Sequence, residues 1–132
     1  MRYLLDTNAV IALLNDPHGQ VAQHARQYIP ADIGLSAIVA HELYYGAFKS
    51  KRRDQNIELV DGLFFEVLAF DREDARQAGE VRTVLAASGT PIGPYDVLIA
   101  GQAHARGLVL VSRNMREFQR VDGLSVENWE DD

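Results

Sequence analysis

The stretch Tyr3-Leu4-Leu5-Asp6-Thr7-Asn8-Ala9-Val10-Ile11-Ala12-Leu13-Leu14 decides the fold. A short run of bulky apolar residues stops at an acid, two polar residues follow, and a second apolar segment begins. Because successive rather than alternate positions are apolar, Tyr3-Leu4-Leu5 reads as a strand covered on both faces, as in a parallel sheet. Asp6 then stands at the carboxyl edge of that strand. In open α/β sheets the loops at that edge converge, and ligands bind there.

Working outward, the pattern predicts a strand over 2–5, helices over 8–14 and 19–29, a short strand at 33–35 and a helix over 37–48. A polar helix over 51–61, a strand over 64–70 and a helix over 72–87 follow. A loop carrying Gly89, Pro91, Gly93 and Pro94 leads to a helix over 95–106, a strand over 108–111, a helical turn over 114–118 and a last strand over 124–127. Apolar strands such as Leu108-Val109-Leu110-Val111, alternating with helices, predict an α/β class with a central parallel sheet of about five strands and helices on both faces. At 132 residues and 47% hydrophobic, the chain fits a single domain over 1–132 with a real core.

The absence of cysteine excludes disulfides, thiol nucleophiles, iron–sulfur clusters and Cys-based zinc sites, and suits a reducing cytosol. Met1-Arg2-Tyr3 runs straight into the first strand without space for a signal peptide. No apolar run approaches the roughly 20 residues of a membrane helix. The expectation is a soluble cytoplasmic protein with no membrane partner. The formal net charge of −6 argues against a general nucleic-acid coat. It is compatible with a nuclease, since acids gathered for a metal lower the net charge while a substrate track stays locally basic. Lys49, Lys51, Arg52 and Arg53 form one such cluster, which also reads as a solvated helix end.

Two further acids share the apolar setting of Asp6: Glu42, between Ala37-Ile38-Val39-Ala40 and Leu43-Tyr44-Tyr45, and Asp96, before Val97-Leu98-Ile99-Ala100. Taking a carboxylate out of water costs several kcal/mol unless it is paired, protonated or metal-bound. Ser36 is placed to cap the helix carrying Glu42, and Pro94 suits the first turn of the helix carrying Asp96. Asp96 shares a helix face with Ile99, Ala100 and Ala103, and Glu42 shares one with Ile38 and Tyr45, so both acids are expected to face inward. Singly, each has a plainer explanation: Asp6 as a helix cap, Glu42 paired with a buried arginine, Asp96 as a helix-dipole partner. Together they would need three separate compensating partners. Held within about 4 Å, two like charges repel by about 4 kcal/mol at an effective dielectric near 20, a penalty that a magnesium or manganese ion removes.

Other chemistries fail against the inventory. Phosphoaspartyl enzymes need a lysine at the end of a later strand, whereas the lysines are Lys49 and Lys51, and their phosphatase version wants an acid where Asn8 stands. A P-loop and a dinucleotide glycine fingerprint are absent. His41-Glu42 resembles the start of a zincin helix, but the second histidine would fall at Tyr45. His18, His24 and His104 read as surface residues, and Ser36 and Ser112 show no His/Asp arrangement in the sequence.

Four blocks in order carry a resemblance: Asp6-Thr7-Asn8; Ser36-Ala37-Ile38 leading to Glu42-Leu43 and Gly46; Gly93-Pro94-Tyr95-Asp96 with Ile99-Ala100; and Ser112-Arg113-Asn114 before Glu117-Phe118. With the terminal Val126-Glu127-Asn128-Trp129, the chain resembles from end to end the PIN-domain ribonucleases, and among them the VapC toxins of bacterial toxin–antitoxin pairs. The resemblance implies a catalytic set of Asp6, Glu42, Asp96 and Asn114. Asp6, Asp96 and Glu42 would hold Mg²⁺, with Mn²⁺ able to substitute, and Thr7 and Asn8 would orient the first acid by hydrogen bonding. Asn114 stands where the fourth block often has an aspartate, leaving Glu117 as its substitute.

The activity so implied is metal-dependent hydrolysis of RNA, most of all of tRNA, with the anticodon loop of initiator tRNA as the favoured target. Arg113 and Arg116, on one helical face with Arg120, would hold phosphates, as would Lys49, Lys51 and Arg52. The implied partners are a VapB-like antitoxin, for which Tyr44, Tyr45 and Phe48 offer an aromatic docking surface unless they pack in the core, and a second copy of the chain. Two alternatives remain beside this reading: a non-catalytic module whose acids grip a basic segment, and a related nuclease acting on DNA or other RNA.

Overall fold

The computed structural model describes residues 1–130. Its five strands are β1 (Tyr3–Leu5), β2 (Ile33–Ser36), β3 (Glu66–Leu68), β4 (Val109–Val111) and β5 (Val126–Glu127). They pair in parallel throughout, in the order β3-β2-β1-β4-β5, with Leu4 opposite both Gly34 and Leu110. Helices α1 (Thr7–Asn15), α2 (Gln20–Ala25), α3 (Ala37–Lys49), α4 (Arg53–Asp61), α5 (Arg72–Ala87), α6 (Pro94–Arg106) and α7 (Met115–Phe118) flank the sheet. Tyr3, Leu4 and Leu5 are all buried, and since neighbouring side chains on a strand point to opposite faces, β1 is covered on both. The expected α/β architecture is the one observed.

The strand order fixes where a site forms. From β1 the chain fills the sheet outward through β2 and β3, then returns to the other side of β1 for β4 and β5. The loops leaving β1 and β4 therefore diverge and open a crevice at the carboxyl edge between them. Asp6 follows β1 directly at that crevice, and Ser112 follows β4.

Several boundaries differ from expectation for local reasons. Helix α2 stops at Ala25 rather than 29, because Pro30 holds Ile29 extended (φ −75°, ψ 153°) and a single 3₁₀ turn, Pro30–Asp32, leads into β2. Strand β3 is shorter than 64–70 because it is a sheet edge, with Phe64 90% exposed and only Leu68 of the strand buried. The last strand is only Val126–Glu127, since Gly123 turns the chain through a left-handed conformation (φ +79°) just before it. Two of the three histidines read as surface residues are instead engaged. The His24 ring stacks on buried Trp129 at 4.5 Å, and His104 Nδ1 lies 3.0 Å from Gln77 Oε1, while His18 is exposed.

Helix α6, which carries Asp96, is held against α5 at backbone distance. A Cβ at Gly101 would lie 2.4 Å from Ala78 Cα, so only glycine permits this approach. A buried polar knot ties the same two helices to the end of β3. Asp74, part of the capping box with Asp71, accepts hydrogen bonds from Arg106 at 2.8 and 3.2 Å and from Gln102 Nε2 at 2.9 Å. Arg106 and Gln102 each also donate to Ala69 O. Burial alone would push the Asp74 carboxyl upward, but the hydrogen bonds from Arg106, the Asp71 N–H and Gln102 outweigh it and hold it below the usual carboxylate range.

Two outcomes follow for stability. Gly101→Ala lowers unfolding stability by about 1–3 kcal/mol through overpacking, read from urea denaturation. Asp74→Asn costs about 2–3 kcal/mol near neutral pH. Because the folded carboxyl titrates below its unfolded value near 4, the wild-type advantage is full above that value and shrinks as pH falls through the folded one. An advantage unchanged down to about pH 2 contradicts this assignment.

Candidate active site

Asp6 is 4% exposed and occupies the position before α1, where its Oδ1 accepts the Ala9 N–H at 2.9 Å. Its own N–H donates to Val111 O at 3.0 Å, which locks the acid to the end of β4. Capping is therefore real, but it engages one oxygen of the carboxylate. Burial pushes the Asp6 carboxyl up, against the opposing pull of the Ser112 hydroxyl and the Ala9 N–H. Ser112 is itself fully buried, and its Oγ accepts the Asn114 N–H at 2.9 Å.

Glu42 reaches the same crevice from α3, whose cap is the expected one, Ser36 Oγ accepting the Ile38 N–H at 3.0 Å. The buried line of this helix is Val39, Leu43 and Ala47, so Glu42, one residue off that line, sits half-buried at its border. For the same reason Tyr45, expected to share an inward face with Glu42, is 62% exposed. Asp96 lies in the first turn of α6, after Pro94, and Ile99, Ala100 and Ala103 beneath it are buried as expected. A Cβ at position 93 would come 3.1 Å from Asp96 Oδ2, so glycine there lets the loop pass close to the carboxylate.

Asp6, Glu42 and Glu117 lie within electrostatic reach of Asp96. The Asp96 carboxyl is pushed up to about 6, first by burial and then by the charges of Asp6, Glu117 and Glu42. Among the described residues none of Asp6, Glu42 and Asp96 is ion-paired, which removes the alternative in which each is neutralised by its own basic neighbour.

Other expected roles are redistributed. Thr7 Oγ1 donates to Glu42 Oε1 at 3.0 Å, so it orients the second acid rather than the first. Asn8 is exposed and its side chain makes no hydrogen bond among the described residues. Asn114 precedes α7 with no side-chain capping bond, and the charge from this segment that Asp96 feels is that of Glu117. Arg113 lies outside α7, so Arg113, Arg116 and Arg120 do not form one helical face, although all three are exposed and Arg113 acts electrostatically on Asp6. Arg120 is also committed to Pro91 O at 3.2 Å. Lys49, Lys51 and Arg52 are exposed at the α3–α4 junction.

Sequence reasoning missed two groups. Ser112, set aside for want of a His/Asp partner, lies beside Asp6, and the signal for it was its place directly after an apolar strand, the same as that of Asp6. Glu130 adds its charge to Asp6, and its Oε2 is buried without a hydrogen-bond partner. The segment leading to it is anchored by Trp129, whose Nε1 donates to Glu127 Oε1 at 3.0 Å and whose ring meets Tyr3 edge-on at 5.2 Å.

The donor set is entirely carboxylate and hydroxyl oxygen, the preference of a hard divalent cation. Among the described residues no group of three or more His, Asp or Glu side chains is arranged to hold a metal ion. The mutual repulsion at Asp96 and the unpartnered Glu130 oxygen mark the crevice as short of positive charge. A separate cleft of about 630 Å³, lined by Leu13, Leu14, Ala22, Leu59, Leu63 and Phe64 among others, lies on the α1–α2–α4 flank and contains none of these acids.

Comparison with known proteins agrees with this fold. The PIN domain pattern matches residues 3–124. The tRNA(fMet)-specific endonuclease VapC of Salmonella typhimurium is 40% identical over 135 residues, with 98% of each chain covered. Its namesake from Shigella flexneri is 36% identical over 131 residues, again with 98% of each covered. Among solved structures, the DNA-bound VapBC of Salmonella typhimurium superposes with a TM-score of 0.93 at 38% identity over 98% of both chains. VapBC2 of Rickettsia felis bound to a promoter DNA fragment gives 0.88 at 35% identity, covering 98% of this chain and 99% of that one.

One consequence concerns the metal-free protein. Since the folded Asp96 carboxyl titrates above its unfolded value, its contribution to stability is full below about pH 4 and is lost as pH rises through about 6. In chelator, Asp96→Asn is expected to melt a few degrees above wild type at neutral pH and to match it near pH 4. A wild type that is the more stable of the two at neutral pH without divalent cations contradicts the convergence of charge described here.

Proposed function

This chain belongs to the PIN-domain family, and on that premise we propose that it is the toxin of a toxin–antitoxin pair, a Mg²⁺-dependent endoribonuclease that cleaves tRNA. The observation that carries the reading is the grouping of Asp6, Glu42, Asp96 and Glu117 at one crevice at the sheet's switch point, with no ion pair to any of them among the described residues. Asp6 and Asp96 are the residues to hold the cation, with Glu42 and Glu117 beside them and Mn²⁺ able to replace Mg²⁺. Bound there, the cation supplies a Lewis acid for the phosphoryl oxygens and a water acidic enough to attack near neutral pH. Thr7 fixes Glu42 through Oε1, leaving Oε2 to take the proton released in the attack. Ser112 and the Ala9 N–H favour the ionised form of Asp6 and so partly offset the burial that pushes its carboxyl up.

The initiator tRNA anticodon loop is the favoured target. Supporting this are the substrate named for the Salmonella and Shigella relatives and the general fact that unpaired loops expose base edges and faces. Exposed Arg113 and Arg116 are placed to hold phosphates, with Lys49, Lys51 and Arg52 further along the surface. No helix among the described residues is long and apolar enough to cross a membrane, and a cytoplasmic site of action is part of the proposal.

The partner is a VapB-like antitoxin, supported by the VapBC complexes that share this fold. The aromatic surface expected at Tyr44, Tyr45 and Phe48 is less suited to it than the apolar cleft on the α1–α2–α4 flank. Tyr44 donates its hydroxyl to Asp61 and so serves the packing of α3 on α4. The cleft, by contrast, is bordered by Phe64, 90% exposed, and Leu59, 50% exposed, an apolar surface of the kind that accepts the nonpolar face of a partner helix. A second copy of the chain is the other expected partner.

Incubated with total tRNA and Mg²⁺, the protein is expected to release a discrete fragment, and EDTA to abolish this. Asp6→Asn and Asp96→Asn should each lower the rate by about 100-fold or more while the far-UV spectrum is unchanged. Glu117→Gln should reduce it more than Asn114→Ala. Cleavage that persists in chelator, or survives loss of Asp6 and Asp96, defeats the proposal. Phe64→Asp with Leu59→Asp is expected to release a co-expressed antitoxin on gel filtration without reducing cleavage, and retention of the partner contradicts the docking assignment.

A further inference from the structure

Two aromatic residues border the acidic crevice and take no part in the chemistry above. His41 directly precedes Glu42 on α3, and Tyr95 directly precedes Asp96 on α6, so each helix presents a ring next to an acid. The rings meet edge to face across the gap between the helices, with centroids 5.7 Å apart and planes at 62°. Both residues are exposed, Tyr95 at 45%, and neither belongs to the buried lines of its helix. Packing of the core therefore does not account for them.

The pair continues into a longer feature. His41, Tyr45, Phe48 and Lys49 follow one another at i, i+4, i+7 and i+8, a single face of α3, and Phe48 is 52% exposed. Cations sit on the outer rings, Lys49 Nζ at 4.6 Å from the Tyr45 centroid and Arg53 Cζ at 5.1 Å from that of Phe48. Aromatic faces interleaved with Lys and Arg are what a single nucleic-acid strand requires, since every base has a π-face and every linkage a negative charge. Lys49 in this stripe fits a protein partner less well, because lysine is depleted from protein interfaces even though aromatic residues and arginine are enriched there.

Resting on the ribonuclease reading above, we propose that His41 and Tyr95 form a stacking platform for an unpaired RNA base beside the phosphate to be cut, and that the stripe through Tyr45 and Phe48 guides the strand away from the acids. A base within a duplex has both faces covered by its neighbours and cannot use the platform. The platform thus selects loops over helical stems before any base edge is read.

The test compares binding of two fluorescein-labelled single strands of about nine nucleotides, one oligoadenylate and one with abasic riboses in place of every nucleoside, within the size of one single-strand site. Fluorescence anisotropy is read in EDTA, so that neither strand is cut. Wild type is expected to bind the base-bearing strand about 10-fold more tightly than the abasic one, the range of a single stacking contact. Tyr95→Ala and His41→Ala should lose most of that preference with abasic binding and melting temperature unchanged, whereas Tyr95→Phe keeps it. If both alanine variants retain the full preference, or lose only self-association or antitoxin binding, the platform is overturned. A wild type that cuts RNA with Mg²⁺ yet shows no preference overturns the platform alone. One that neither binds nor cuts RNA overturns the ribonuclease reading as well.

Discussion

Carboxylates gathered in one crevice repel each other, and this repulsion is the constraint around which the structure is organised. The sheet brings Asp6 to the mouth of the switch point, α3 and α6 add Glu42 and Asp96, and α7 adds Glu117, all without an opposing ion pair among the described residues. Left alone, such an arrangement favours opening of the crevice or protonation of one member. The Asp96 carboxyl, raised to about 6 first by burial and then by the charges of Asp6, Glu117 and Glu42, is where that repulsion is felt. A hydrated cation relieves the repulsion and is thereby held, so the same feature that weakens the empty fold provides affinity for the metal.

Rigid support must then come from elsewhere. The backbone-close contact of Gly101 with Ala78 and the Asp74–Gln102–Arg106 knot brace α6 from behind, away from the acids. Asp6 is fixed by two backbone links, one to α1 and one to β4. The stable polar knot and the stressed acidic crevice are both clusters of carboxylates, and they differ in one respect. In the knot Arg106 pairs with Asp74, whereas among the described residues no crevice acid forms an ion pair. One cluster stabilises the fold, and the other is prepared for a ligand.

The fold class and the three principal acids were legible in the sequence because both depend on short-range patterns. Leu-Leu-Asp and Val-Leu-Val-Ser are apolar runs that end in a polar group, and burial of consecutive residues implies a two-sided cover. Pro94 and Ser36 announced their helices through local backbone chemistry. What could not be read was direction. Whether Thr7 turns toward Asp6 or Glu42, whether Asn114 or Glu117 faces Asp96, and whether Tyr45 follows Glu42 inward all depend on helix rotation and on how α3 and α7 seat against the sheet. Periodicity fixes such rotation only within about one residue's turn. The His41–Tyr95 contact joins positions 54 apart (95 minus 41), and no local pattern links them.

The central claim, that the crevice is completed by a divalent cation, is tested most directly by calorimetric titration of Mn²⁺ into the metal-free protein, with Mg²⁺ as competitor. The account predicts saturable binding that Mg²⁺ displaces and that Asp6→Asn and Asp96→Asn each abolish, with the folded structure intact. Binding of equal strength in wild type and both variants, or none in any of them, would contradict it.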